Sequence, residues 1–269
     1  MLPLPGNELR IGLCPDRLEI AVRRPGRTLR LQSARIVLFE RDNAAPNWRA
    51  PVKSLHDALN EDEWRSARAT VVLSDHFVRY VLVPWHDDVI TDEERLALAQ
   101  HTFRSVYGET VSDWTVRLDT TEYGASAVAS AIDSALLDEL RAVFKDKRPR
   151  LVSIQPHFVA AFNQFRAAFG DSGNFIVVEP ERLCLGSFRG DRWQGVNAYR
   201  CNPDAALDVA LAQALAADPE AAASDTFIYA RAGVSTAAIT GFGGAIKPLE
   251  LPLPQDVQSG VEVALCGAV

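Results

Sequence analysis

The stretch HFVRYVLVPWHDDVITDEERLALAQHTFRSVYG, residues 76–108, decides the fold that we expect for this chain. Its first ten residues alternate between apolar and polar types well enough to predict a strand that ends at Pro84. Thr91 and Glu94 then stand three residues apart, which is the spacing of a capping box at the start of a helix. Apolar residues recur behind them at helical spacing until Gly108, which favours a helix end. The stretch therefore predicts a strand followed directly by a helix.

The residues that follow predict the rest of a small α/β unit. Residues 114–119 and 126–132 predict two strands that pair across a turn, and an amphipathic helix comes after them. Residues 151–154 predict a closing strand, and the next helix is expected to begin at Pro156. From residue 76 onward, the predicted order is strand, helix, two strands, helix and strand.

A second pattern of elements occurs on both sides of this segment. Before it, strands are predicted at residues 9–13, 18–23, 28–39 and 69–73, with a short helix at 52–59. After it, strands are predicted at residues 174–179, 182–188, 194–199 and 226–230, with an Ala-rich helix at 203–217. Each set reads as three strands, a helix and a fourth strand. The sequence therefore predicts a repeat of topology, although not of residues.

The composition is that of a globular protein large enough for two lobes. The chain has 269 residues, of which 48% are hydrophobic and 23% are charged, and these values exclude disordered and fibrous proteins. Its net charge of -7 lacks the basic field that non-specific binding of nucleic acid requires. We expect no secretory signal and no direct membrane span. Cysteines without a CxxC pair and histidines without ligand spacing predict no metal site.

The order and spacing of these elements resemble the actin-like ATPase superfamily. Within it they look most like the PilM and GspL group, the cytoplasmic platform proteins of type IV pilus and type II secretion systems. The resemblance spans roughly residues 69–200. It implies an α/β, actin-like (ribonuclease H-like) two-lobe fold with a small α/β insertion in the first lobe. The expected lobes are residues 1–172, with the insertion at about 76–150, and residues 173–269.

An actin-like nucleotide site needs glycine-rich turns that let backbone N–H groups approach the phosphates, and an acidic residue for Mg²⁺. The resemblance places these turns at residues 13–17, 178–182 and 230–233. The first two turns contain a proline and no glycine, and the third keeps one glycine. The residues of this degenerate cleft are Cys14, Asp16, Arg17, Glu179, Arg182 and Gly233. We therefore expect no cofactor, with residual ATP binding through the acidic and basic members as the alternative.

Arg79, Tyr80 and Trp85 are the candidate partner-binding residues. An arginine with aromatic neighbours is the composition favoured at the centres of interfaces, and strand alternation places Arg79 on the face opposite Tyr80. The resemblance implies that a short cytoplasmic segment of an inner-membrane assembly protein docks beside the insertion. An assembly ATPase is a further candidate partner. The competing interpretation is that Tyr80 and Trp85 only pack the insertion against the first lobe.

The resemblance and the damaged turns together imply a scaffold rather than an enzyme. We expect a non-catalytic, cytoplasmic protein that is held at the inner membrane through its partner. Two other interpretations stay open at this point. One is an ATP-dependent kinase or ATPase of the same fold, and the other is a protein that binds a small ligand between its lobes.

Overall fold

The structure, a computed structural model, describes residues 7–24, 30–41, 46–60, 67–119, 122–145, 149–190, 192–201, 209, 223–230, 244–251 and 261–266. Contacts divide the chain into two compact units. Unit 1 consists of Met1–Phe77, Ala135–Gln164 and Leu251–Val269, and unit 2 consists of Val78–Ser134 and Phe165–Glu250. The lobe boundary between residues 172 and 173 stays a prediction.

The strands are β1 (Glu8–Leu13), β2 (Arg17–Arg24), β3 (Arg30–Leu38), β4 (Arg68–Leu73), β5 (Val78–Val83), β6 (Trp114–Leu118), β7 (Ala127–Asp133), β8 (Arg150–Pro156), β9 (Ser172–Glu179), β10 (Arg182–Arg189), β11 (Arg192–Arg200), β12 (Thr226–Ala230) and β13 (Ile246–Leu249). The helices are α1 (Arg49–Ala58), α2 (Asp92–Tyr107), α3 (Ser134–Lys145), α4 (His157–Phe165) and α5 (Glu262–Leu265).

Each unit contains a five-stranded sheet, and the two sheets have the same strand order. The order is β3-β2-β1-β4-β8 in unit 1 and β11-β10-β9-β12-β13 in unit 2. In both sheets the first three strands pair antiparallel, and the remaining strands join in parallel. The strand order of the repeat predicted from the sequence is therefore confirmed. The helix predicted at residues 203–217 lies almost wholly outside the described residues.

The third sheet, β5-β7-β6, is antiparallel and packs against α2. Val81 of β5 joins Ala99 and Phe103 of α2 in one buried cluster. The predicted capping box is present at the start of α2. The Glu94 N–H donates to Thr91 Oγ1 at 3.2 Å, and the Thr91 N–H donates to Glu94 Oε2 at 2.9 Å. Local sequence signals therefore define both elements of the opening stretch correctly.

The start of α4 differs slightly from the prediction. Pro156 is the last residue of β8 rather than the first residue of the helix, so α4 begins at His157. The Phe158 N–H, in the first turn of α4, donates to Asp75 Oδ1 at 3.1 Å. This carboxylate supplies the acceptor that a helix N-terminus requires.

The chain end forms α5, for which the sequence predicts no element. Val263, Ala264 and Leu265 are buried, and α5 contacts β1, β2 and β4. Arg10 of β1 is 4% exposed and donates from Nη1 to the carbonyl oxygen of Cys266 at 3.3 Å. Residues 261–266, which include α5, therefore belong to the core of unit 1.

Among the described residues, no helix combines the length and the apolar character that a membrane span requires.

Candidate functional site

The β1–β2 turn is the first of the predicted phosphate turns. The Cys14 N–H donates to the carbonyl oxygen of Arg17 at 3.0 Å, so the turn uses this donor internally. Pro15 has no N–H to offer, and it is buried. A phosphate-binding turn needs several backbone N–H groups that point at the ligand. The β1–β2 turn therefore lacks donors that such a turn requires.

The side chain of Glu19 joins the β1–β2 turn to α5. Its Oε1 accepts the Arg17 Nε–H at 2.8 Å, and the Glu19 side chain is 0% exposed. Its Oε2 accepts the N–H groups of Val263 at 2.9 Å and of Ala264 at 3.1 Å. One buried carboxyl thus takes up both the cation of the turn and two backbone donors of the chain end.

Gly12 provides the room that α5 needs beside the turn. It lies directly opposite Glu19 in the β1–β2 register. A Cβ atom at Gly12 would lie 2.8 Å from the Ala264 nitrogen and 3.1 Å from the Val263 Cβ. Because real Cβ atoms do not approach this closely, only glycine fits here. The backbone of the chain end fills the space next to this turn.

Burial raises the pKa of the Glu19 carboxyl to about 8. The cause is the loss of hydration around its charge, and the nearby Glu262 carboxylate adds to it. The Arg17 guanidinium and the Ala264 N–H act in the opposite direction, since both stabilise the charged form. The carboxyl therefore titrates well above the range of an exposed glutamate.

The residues at the β1–β2 turn do not fit the phosphates of a nucleotide. Phosphate recognition needs unused N–H groups and a cation that is available to the ligand. Here Glu19 accepts the Arg17 Nε–H and the N–H groups of Val263 and Ala264. The Arg17 Nη2 is buried and has no hydrogen-bond partner among the described residues.

The β9–β10 turn, the second predicted phosphate turn, consists of Pro180 and Glu181. Glu181 has a φ of +59°, a left-handed conformation that favours glycine. Glu179, which precedes the turn, is 2% exposed. Arg182, which follows it, donates from Nη2 to the carbonyl oxygen of Val78 at 3.2 Å. The turn therefore offers a proline and two carboxyls, and its arginine extends to the start of β5.

The structure separates the three residues predicted to bind a partner. Tyr80 is 3% exposed, so it can support a binding surface only from beneath. Arg79 is half-buried and donates from Nη1 to the carbonyl oxygen of Val78 at 3.0 Å. Trp85 lies beyond the end of β5, half-buried, with its ring centroid 4.7 Å from that of Tyr123. Of these three residues, Arg79 and Trp85 are the ones with exposed surface that a partner can contact.

Gly233, at the third predicted turn, lies outside the described residues. A cavity of about 920 Å³ exists elsewhere in unit 1. It is lined by Ala67, Arg68, Asp138, Arg141, Ala142, Phe144, Lys145, Pro149, Arg150 and Leu151. It contains none of the residues predicted for a site.

Sequence reasoning missed Gly12, Glu19 and α5. Glu19 stands between Leu18 and Ile20 in a strand, and a lone carboxyl among apolar residues is a usable signal of a buried polar contact. Its backbone donors, however, lie 244 and 245 residues further along the chain. No local pattern could identify them.

Comparison with known proteins assigns the fold. No protein-family model matches the chain, and no curated protein matches it in sequence. A protein of Bacteroides thetaiotaomicron with an actin-like ATPase fold and unknown function matches with a TM-score of 0.63, over 91% of each chain at 11% identity. The chain has the actin-like fold. The expected α/β, actin-like fold class is therefore confirmed.

Two further solved structures match the chain over most of its length. The cytoplasmic domain of EpsL, an inner membrane component of the type II secretion system of Vibrio cholerae, matches with a TM-score of 0.57 at 14% identity, over 91% of this chain and 90% of that one. The PilM-PilN type IV pilus biogenesis complex matches with a TM-score of 0.60 at 13% identity, over 90% and 88%. The resemblance to PilM and to a type II secretion platform is confirmed at the level of the fold.

Replacing Glu19 by Gln is expected to change how stability depends on pH. Between about pH 4.5 and 8, the folded chain keeps a proton on Glu19 that the unfolded chain loses, so this group makes the free energy of unfolding fall as pH rises. The slope from this one group approaches about 1.4 kcal/mol per pH unit. Urea unfolding at pH 5.5 and at pH 7.5 should show a steeper loss for the wild type than for Glu19→Gln. The exposed Glu139→Gln serves as control, and parallel curves for all three proteins would contradict the prediction.

Replacing Gly12 by Ala is expected to destabilise unit 1, because the new methyl group must displace α5. Overpacking of this kind costs about 1 to 3 kcal/mol. Gly170→Ala is the matched control, since a Cβ atom there meets nothing within 4 Å. Chemical unfolding should show a loss for Gly12→Ala that the control lacks. Equal stability of the two variants would mean that α5 does not pack against β1.

Proposed function

We propose that this chain is a non-catalytic cytoplasmic scaffold of a type IV pilus or type II secretion machine, and that it binds the cytoplasmic tail of an inner-membrane component. The observation that supports a non-catalytic role is the set of hydrogen bonds that the Glu19 carboxyl accepts. This carboxyl engages Arg17 and two N–H groups of α5, so the chain's own end occupies the position beside the first turn. The fold, shared with EpsL and with the PilM-PilN complex, supports the role in a membrane-associated machine.

The surface that we assign to the partner lies on the insertion, at Arg79 and Trp85. The Trp85 ring is held by Tyr123 on one side and by Arg95, whose guanidinium carbon lies 5.4 Å from its centroid. Its Nε1 donates to Asp87 Oδ1 at 2.9 Å. A half-buried tryptophan that is fixed in this way loses little conformational entropy on binding, which is the property of residues that dominate interfaces.

The scaffold proposal predicts no productive use of ATP. A ligand that binds the folded chain raises its melting temperature by mass action. Millimolar Mg-ATP is therefore expected to leave the melting temperature at its value with Mg²⁺ alone, and to release no phosphate beyond the buffer control. Glu19→Gln is a useful second sample, because it disturbs the first turn without adding a glycine. Saturable binding with turnover in the wild type would establish the ATPase or kinase interpretation instead.

The scaffold proposal also predicts a specific partner. Co-purification with the products of neighbouring genes should yield a small membrane protein with a cytoplasmic N-terminal tail. A synthetic peptide of that tail should then bind the isolated chain in a calorimetric titration. Trp85→Ala is expected to weaken this binding about tenfold, the loss of a moderate interface anchor. Val106→Ala, at an exposed apolar position of α2, is the control and should bind as the wild type does. A tail that does not bind, or that binds both variants equally, would contradict the assigned surface.

A further inference from the structure

Two arginines face each other across strands β10 and β11 of unit 2. Arg182, the first residue of β10, is directly opposite Arg200, the last residue of β11. Residues that are opposite in an antiparallel pair place their side chains on the same face of the sheet, close enough to interact. Like charges in this position repel and destabilise the pair. On its other side Arg182 is directly opposite Glu179 of β9. Among the described residues, however, no carboxylate forms an ion pair with either arginine.

A third arginine joins this pair from the insertion. The Arg79 Nη1 and the Arg182 Nη2 donate to the same acceptor, the carbonyl oxygen of Val78, at 3.0 Å and 3.2 Å. One carbonyl oxygen therefore holds two guanidinium groups next to each other. Strands β5 and β11 are in contact within the same unit, and the charge of Arg200 acts on Arg79. Three cations from three different strands converge here.

The electrostatic effect of this convergence is visible at Arg79. Burial is the largest cause that lowers the pKa of Arg79, and the charges of Arg182 and Arg200 lower it further. Tyr107 and Cys184 act in the opposite direction. Burial raises the pKa of the Cys201 thiol, and the charge of Arg182 acts in the opposite direction and lowers it. The positive charge thus extends over a half-buried region in a chain whose net charge is -7.

Arg182 also retains a donor that the described residues do not use. Its Nε is buried and has no hydrogen-bond partner among them. A buried donor without an acceptor is unfavourable, and it is satisfied when a ligand supplies an oxygen. The guanidinium fork matches two oxygens of one planar group, which makes arginine well suited to bind carboxylates and phosphates.

We propose that Arg79, Arg182 and Arg200 form a preformed site for the carboxylate of an acidic residue in a partner segment. The identification of the ligand as part of a partner rests on the proposed function, whereas the anion site itself does not. A singly charged carboxylate fits better than a phosphate dianion, because the adjoining turn carries Glu179 and Glu181 and offers no N–H at Pro180. The partner segment that binds this face is therefore acidic.

The test uses a hexaglutamate peptide as the probe and a hexaglutamine peptide as its neutral counterpart. At 10 mM salt, where charges act over about 30 Å, the wild type should bind hexaglutamate in a calorimetric titration and melt at a higher temperature with it. Hexaglutamine should do neither. These two measurements need no variant. Absence of hexaglutamate binding by the wild type would overturn the site.

The chain offers a matched control for the arginines. Arg189 and Arg192 are also directly opposite each other, at the other end of the β10–β11 hairpin, where both lie exposed. Arg182→Gln and Arg200→Gln should each weaken hexaglutamate binding about tenfold, the loss of one charge-assisted contact. Arg192→Gln removes the same net charge and should weaken it far less. Equal losses in all three variants would show attraction to overall charge only and would contradict the site.

Two further arms separate the possible outcomes. Inorganic phosphate at matched ionic strength should stabilise the chain less than hexaglutamate does, and the reverse order would replace the carboxylate assignment by a phosphate-group site. If hexaglutamate binds through the arginines but no membrane protein co-purifies, the proposed function fails and the anion site stands. If a membrane tail binds and the arginine variants do not affect it, the proposed function stands and the acidic partner segment is wrong.

Discussion

The buried carboxyl of Glu19 is the contact on which the arrangement of unit 1 depends. It lies where β1, β2 and α5 meet, and it accepts donors from two parts of the chain that are far apart in sequence. Removing it would leave the Arg17 guanidinium and two backbone N–H groups without this acceptor, and such groups are costly when buried. Gly12 completes the contact because a larger residue would hold α5 away. The first strands and the last helix therefore stabilise each other.

This contact also limits what unit 1 can bind. In the actin-like fold the turn between the first two strands is the place where a nucleotide's phosphates would be expected. Here the Cys14 N–H donates to the carbonyl oxygen of Arg17, Pro15 has no N–H, and the Arg17 Nε–H donates to Glu19. Each change removes a donor that phosphate would use. The same contacts give acceptors to buried donors within unit 1.

The sequence could predict what depends on near neighbours in the chain. The Thr91 and Glu94 capping box, the strand before it and the repeated strand order all arise from local spacing, and the structure confirms them. It could not predict α5, because a helix of only four residues has no periodicity to detect and its partners are at the other end of the chain. Alternation along β5 separated Arg79 from Tyr80 correctly. Alternation alone could not tell that Tyr80 would be almost completely buried, since that depends on which elements cover each face.

The two five-stranded sheets place an arginine at the same topological position and treat it in opposite ways. Arg17 begins the second strand of one sheet, and Arg182 begins the second strand of the other. Two residues further along, on the same face, the first sheet has Glu19 and the second has Cys184. Glu19 accepts the Nε–H of Arg17 from within the same unit.

Cys184 is fully buried and supplies no carboxylate. Arg182 lies opposite Glu179 of β9 and opposite Arg200 of β11, and among the described residues it forms no ion pair. An arginine whose Nε–H already has an internal acceptor offers fewer donors to a ligand. Converging cations, in contrast, are stabilised by an anion that binds from outside. This difference at one strand position explains why unit 1 closes its turn. The proposed anion site therefore lies in unit 2.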